Sequence, residues 1–224
     1  VAVLELPEAG ERIIETISPE LLGVAIGVCL DAQSMQRCFL NAMERLARVL
    51  ESRDPYANGH SDRVARYSAE LARVLGCPPD EIEQIYHAAV LHDLGKASIA
   101  AGILEKPGSL TESELETVRK HPKVGADILS TLSFLGGVTD IVRSHHEWYN
   151  GEGYNEGLRA NEIPLGARIV AVADAFEAMT ADRPYRRAMP LAKVIERLRK
   201  GAGLQWDANV IEALLGIIAN GLLD

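Results

Sequence analysis

Residues 166–182 read GARIVAVADAFEAMTAD. Almost every position is apolar, which marks a long helix buried on most of its faces rather than an amphipathic surface helix. One residue contradicts that surface-free setting. Asp174 is a carboxylate among apolar neighbours, and such a group is costly to bury unless it is paired or bound to a metal. A salt bridge and a metal are both open readings of Asp174 taken alone.

Working outward from this helix, the periodicity stays helical. FLNAMERLARVLES (39–52) has apolar residues at 39, 40, 43, 46, 47, 49 and 50, close to the three-and-four spacing of an amphipathic helix. VARYSAELARVLG follows the same rule and stops at Gly76, before the breaker CPPD. Asp80 is placed to cap EIEQIYHAAVLHDLG. Thr111 and Glu114 make a capping box for TESELETVRKH. Pro122 is expected at the first position of a helix through VGADILSTL. LAKVIERLRKG and NVIEALLGIIANG complete the set. Only VAVLEL (1–6) reads as a strand. The pattern predicts an all-α core over residues 39–224. Residues 1–38 form a separate N-terminal segment, the edge of a missing upstream domain or a dimer contact. The stripe on 39–52 can pack on the core or on a second subunit as a homodimer, the core being the simpler reading.

Composition narrows the partners. The chain has 224 residues, 47% of them hydrophobic and 25% charged, with a net charge of −9. That balance argues against broad binding to nucleic acid polymers or anionic membranes, though not against a local positive pocket. The apolar run LLGVAIGVCL (21–30) is too short to span a bilayer. Cys29, Cys38 and Cys77 form no CxxC pair and are odd in number. No disulfide framework is expected, which fits a cytoplasmic protein. The first residue is Val, so the chain is expected to be a piece of a longer protein.

The six histidines stand at 60, 87, 92, 121, 145 and 146. A lone histidine is usually a packed or solvated side chain. Their company changes that. His92 precedes Asp93 near a helix end in AVLHDLGK. His145 and His146 adjoin near another, in HHEWYNGEGYN (145–155). His60 lies in the polar turn NGHSD, and His121 at a junction in RKHPKVG. Successive helical side chains point about 100° apart. Adjacent ligand types therefore converge on one cation only at a distorted helix end, and straddle two more readily. Five histidines and two aspartates exceed the four ligands of a tetrahedral zinc. They suit two octahedral ions of the Mn, Fe, Co or Zn group. Lys96 follows His92 by one turn. It is not part of a phosphate-binding GxxxxGK loop, because position 90 is Val. Lys96 reads as a cation for a phosphate oxygen, or as a helix-end lysine meeting the dipole.

Five motifs in order then resemble the HD-GYP domains of the HD phosphohydrolase superfamily. They are RDPYANGHSDRVARYS (53–68), HDLGK (92–96), HPKVG (121–125), HHEWYNGEGYN and IPLGARIVAVADAFEAMTADRPYR (163–186). The resemblance spans about residues 39–216. It implies an HD-domain helical bundle with a short N-terminal appendage. It also implies a metal-dependent phosphodiesterase that hydrolyses cyclic di-GMP to pGpG, and onward to GMP, with hydroxide activated by two metals. Carried over by motif, His60, His92, Asp93, His121, His145, His146 and Asp174 match metal ligands, with Fe or Mn favoured and Zn, Co or Ni admissible. Asp93 and Lys96 match catalytic positions. Lys96, Arg183 and Arg186 match groups near the substrate phosphates; the plain reading of the two arginines is a solvated loop.

Three positions depart from the family pattern. Tyr56 replaces the carboxylate of three-metal members, so two metals are expected. Asn150 replaces the usual Asp. Gly153-Tyr154-Asn155 replaces the signature GYP, and losing proline should leave that lip looser, because its ring fixes φ. The resemblance associates this lip with partner contacts, including diguanylate cyclase-type domains; an upstream sensory domain is a further expected partner. Two other readings stay open: a relative acting on another cyclic dinucleotide or a nucleotide, and a module that binds cyclic di-GMP without cleaving it.

Overall fold

The structure is a computed structural model, and it describes residues 32–51, 59–106, 108–182 and 187–221. The expected strand at 1–6, the apolar run at 21–30, Tyr56, Arg183 and Arg186 lie outside the described residues. The chain divides into one unit over 1–43 and a second over 44–224. Helix α1, Ala32–Glu51, crosses that division, and its residues from Glu44 onward belong to the second unit.

The second unit is helical throughout the described residues. It continues with α2 (His60–Val74), α3 (Pro79–Leu91), the four-residue α4 (Ala101–Leu104), α5 (Glu112–Val118), α6 (His121–Leu129) and α7 (Gly136–Ser144). It ends with α8 (Leu165–Thr180), α9 (Leu191–Gly201) and α10 (Ala208–Ala219). Short 3-10 turns cover Leu94–Ser98, Ser133–Leu135 and Ala160–Glu162. No helix of the described residues is long and apolar enough to cross a membrane.

Local chemistry explains most boundaries. Thr111 accepts from the Glu114 amide while the Glu114 side chain accepts from the Thr111 amide, the reciprocal box read from sequence. Asp207 caps α10 through the Asn209 amide. Gly76 takes φ +78° just past α2. Two expectations need correcting. Asp80 is not a cap: α3 begins at Pro79, whose fixed φ suits a first helical position, so Asp80 falls inside the first turn. Pro122 is the second residue of α6 rather than the first, which is His121.

The helix that opened the sequence argument is the centre of the bundle. Ile169, Val170, Val172 and Ala173 of α8 are fully buried, and Phe176 and Met179 nearly so. The helix packs on α2, α3 and α7, with α9 and α10 closing another side. Helix α6 packs against the 3-10 turn after α3 and against α7. The ends of α3 and α7 and the starts of α2 and α6 carry five of the six histidines. The core thus brings four helix termini together beside the middle of α8.

Candidate metal centre

Each sequence-predicted histidine sits where its helix stops or starts. His92 is the C-cap of α3, and His145 the C-cap of α7. His60 and His121 are the first residues of α2 and α6. The distortion that adjacent ligands require is therefore present: α3 ends at Leu91 and the chain tightens into a 3-10 turn at Leu94.

These side chains form two triplets whose ligand atoms lie within 4.8 Å of one another. One comprises His60, His92 and Asp93, the other His121, His145 and His146. Asp93 faces both. Its Oδ2 lies 3.5 Å from His92 Nε2, and its Oδ1 lies 3.4 Å from His121 Nε2. Asp174 joins the first triplet, with Oδ1 3.4 Å from His60 Nε2. Asp174, part-buried on α8, is thus next to a histidine of another helix. Lys96 Nζ donates to Asp93 Oδ2 at 2.6 Å. His87 lies elsewhere, bonded through Nδ1 to Glu44 at 2.6 Å.

The tautomers follow from the partners. His92 Nδ1 is 2.7 Å from the Ala89 carbonyl, His121 Nδ1 2.8 Å from Val118 and His145 Nδ1 2.7 Å from Val142. A carbonyl only accepts, so each Nδ1 carries the proton and Nε2 is the ring atom left facing the site. His121 Nε2 and His145 Nε2 then face each other at 3.4 Å with no proton between them. A cation is the partner such an arrangement lacks. Burial pushes the His121 imidazolium down, pushes His145 well down, and lowers His146 to about 3, with neighbouring imidazoles adding to the last two. All three rings are neutral at pH 7, the ligand form. Burial raises the cost of charge on Asp93, but Lys96 and His92 hold its carboxyl well below the ordinary 3.8. The donor set of neutral imidazoles and ionised carboxylate fits divalent ions of the imidazole-preferring kind.

Residues beyond the expected set orient it. Glu177 Oε2 accepts from His60 Nδ1 at 2.6 Å, and Glu177 Oε1 accepts from Arg63 Nε at 2.9 Å. This carboxylate–histidine pair is the usual support for a metal-bound imidazole. Glu177 follows Asp174 by three residues, a same-face helical spacing that the sequence offered but that was not singled out. Gly95 explains the glycine of HDLGK. A Cβ there would run into the His121 carbonyl oxygen and lie 2.6 Å from the Gly125 nitrogen. The absent side chain lets the Asp93 turn press against the start of α6.

The HHEWYNGEGYN segment divides its labour. His146 enters the second triplet, and Tyr154 covers it with ring centroids 4.9 Å apart. Burial, with Asp93 and Asp174 nearby, pushes the Tyr154 phenol up to about 12. Arg119 Cζ lies 6.0 Å from the Tyr154 ring centroid. Glu147 is not with the ligands. Its Oε1 accepts the Glu156 and Gly157 amides at 2.6 and 3.2 Å. The Tyr154 amide bonds the His146 carbonyl, and Asn155 Nδ2 reaches the Arg143 carbonyl at 3.4 Å. Gly153 lies so close to Glu147 and Trp148 that a Cβ would be 2.6 Å from Glu147 Cα. Without proline at 155, the lip is fastened by these hydrogen bonds.

Comparison with known proteins agrees with the geometry. The HD domain family model matches residues 44–210. The chain is 39% identical over 175 residues to the cyclic di-GMP phosphodiesterase response regulator RpfG of Xanthomonas campestris, covering 77% of this chain and 46% of that protein. It is 38% identical over 175 residues to a cyclic di-GMP phosphodiesterase of Thermotoga maritima, covering 77% and 48%. It is 36% identical over 167 residues to the 3'3'-cGAMP-specific phosphodiesterase 3 of Vibrio cholerae, covering 75% and 36%. The chain spans less than half the length of these relatives. Among solved structures, the HDG"Y"P protein Bd1817 of Bdellovibrio bacteriovorus superposes with a TM-score of 0.59 at 25% identity, covering 71% of this chain and 51% of that one. The all-helical fold, the histidine-bearing helix ends and the matched sequence span lead to one conclusion: the chain belongs to the HD-domain family, in its HD-GYP branch.

Proposed function

We propose that this domain is a metal-dependent phosphodiesterase that opens cyclic di-GMP to pGpG, with GMP as the product of a second cut. The observation that carries this reading is Asp93, whose two oxygens face one imidazole from each triplet. One carboxylate between two sets of imidazole nitrogens is the arrangement for holding two cations side by side. His60, His92, Asp93 and Asp174 would hold one ion, and His121, His145 and His146, with Asp93 shared, the other. Fe or Mn are the favoured ions, and Zn, Co or Ni suit the same donors. When bound, such ions supply an acidified water and positive charge for phosphate oxygens.

The chain's own residues do the rest. Lys96, held beside Asp93, offers its ammonium to a non-bridging oxygen of the scissile phosphate. Arg183 and Arg186 would engage the second phosphate. Tyr154 and its neighbours wall the site and limit bulk water. Overall, water adds across one P–O3′ bond: phosphorus gains oxygen from water, the O3′–P bond breaks and O3′ takes a proton. The product keeps a 5′-phosphate and a free 3′-hydroxyl.

The relatives named for 3'3'-cGAMP favour one second reading, in which the preferred substrate is a mixed cyclic dinucleotide. A module that binds without cleaving is a third. A cytoplasmic setting, a homodimer, and an upstream sensory or diguanylate cyclase-type partner belong to the same proposal. The test is turnover. Anaerobically purified, metal-quantified protein is incubated with cyclic di-GMP, 3'3'-cGAMP and cyclic di-AMP, and products are followed by chromatography. Two ions per chain and release of pGpG support the reading. Cleavage confined to 3'3'-cGAMP replaces the substrate, and full metal loading without cleavage overturns the enzyme.

A further inference from the structure

The last residue of α1 caps a helix it does not belong to. Glu51 Oε1 accepts the His60 amide at 2.7 Å, and Glu51 Oε2 accepts the Ser61 amide at 3.2 Å. These are the first two amides of α2. The residue at the cap position of α2 is Gly59, and no side chain caps the helix from there. A carboxylate is the best available substitute, since it also meets the positive end of the helix dipole.

His60 is therefore gripped at both ends. Its main chain is tied to Glu51 and its ring to Glu177. Because His60 is the first residue of α2, any displacement of that amide carries the imidazole with it. Glu51 in turn is placed by the two turns before it. Arg48 donates to Asp62 through Nε at 3.1 Å and Nη2 at 2.9 Å, and Glu44 bonds His87 at 2.6 Å. Residues 44, 48 and 51 share one face of α1 by helical spacing. That face is a row of polar locks onto α2 and α3.

We propose that Glu51 is a positioning residue for His60, and that docking of the end of α1 sets how tightly the ion at the His60 triplet is held. The inference rests on the metal reading above, but its readout is metal affinity rather than turnover. Metal-free protein is titrated with Mn2+ against a fluorescent chelator for wild type, Glu51→Ala, Glu51→Gln, His60→Ala and the Glu51→Ala/His60→Ala pair. Glu51→Ala should weaken one of the two ions about tenfold, the size found for lost supports of metal ligands, and leave the other unchanged. Glu51→Gln retains one acceptor oxygen and should recover most of the loss. In the His60→Ala background, Glu51→Ala should add nothing. Equal weakening of both ions, unchanged affinity in both Glu51 variants, or full additivity with His60→Ala overturns the proposal. If Glu51→Ala fails to fold, Arg48→Ala carries the test and is expected to weaken the same single ion, with unchanged affinity or equal weakening of both ions overturning the proposal. Failure of the phosphodiesterase reading is seen separately, as wild type that takes up two ions and cleaves no cyclic dinucleotide.

Discussion

Glu177 and His60 are joined at 2.6 Å across 117 residues of chain. Burial pushes the Glu177 carboxyl up, but His60 and Arg63 hold it down to about 2, so it is an anion at any working pH. An anionic acceptor fixes the proton on His60 Nδ1 and leaves Nε2 facing Asp174. The HD-GYP motif histidine is thus usable as a ligand because of a residue outside the set of ligands.

Replacing Glu177 by Gln keeps its shape and removes its charge. His60 would lose its strong acceptor and Arg63 its counter-ion. Metal affinity at the His60 triplet, measured by chelator competition, should fall ten- to a hundredfold. Unchanged affinity would mean that the carboxylate serves packing alone.

Asp93→Ala removes the group that faces both triplets. Elemental analysis should find both ions depleted, and turnover of cyclic di-GMP should vanish with them. Retained full turnover in this variant would falsify the two-ion scheme.

Lys96→Met separates charge from metal loading. Both ions should remain, because neither triplet contains Lys96. The rate at saturating substrate should drop by about 10², the usual loss when one donor to transition-state charge is removed. A change in KM alone would assign Lys96 to binding instead.

Gly95→Ala tests the close approach behind HDLGK. The added methyl meets backbone atoms of α6, which have no rotamer to yield. A loss of about 1–3 kcal/mol in unfolding free energy is expected, the range for overpacking a core. Lower metal content should accompany it, since His121 begins α6. A melting temperature equal to wild type would show that the turn can shift freely.

The contact between Glu44 and His87 should give α1 docking a pH signature. Burial opposes the charge on His87, but Glu44 and Glu83 raise its pKa above the ordinary 6.5. That contribution is complete below 6.5 and is lost as pH rises through the folded value. Burial raises Glu44, but His87 and Arg48 bring it below the ordinary 4.5. Its contribution is present above 4.5 and is lost as pH falls through the folded value. The pair therefore contributes most between about 4.5 and 6.5. The melting-temperature gap between chelator-treated wild type and His87→Gln should be widest there and narrower at pH 9. A flat gap from pH 5 to 9 would count against a charged pair.

Much of this was readable in the chain. The helices announced themselves through periodicity, and the Thr111 box was visible because both partners lie within one turn. The His and Asp side chains that cluster were marked by residue type and motif, since a metal limits its donors to a few side chains. What was not readable depended on distance in sequence. Glu51 acting on His60, and Glu177 acting on the same residue from the far side, are ordinary surface-type glutamates until the fold brings them in. Glu147 is a case of the same kind: it directly follows His145 and His146, but the helix ends there and its carboxylate turns to the lip amides. The start of α3 was moved by Pro79, a backbone preference that outranked a good capping side chain.

The three buried imidazoles bonded to the carbonyls three residues before them differ from His60 in how mutation can reach them. Ala89, Val118 and Val142 contribute main-chain oxygens, which survive almost any substitution at those positions. His60 takes its orientation from a side chain, which a single base change can delete. The orientation of those three imidazoles is therefore insulated from genetic drift, and that of His60 is exposed to it. A descendant chain losing the chemistry while keeping the fold would be expected to fail first at the His60 end.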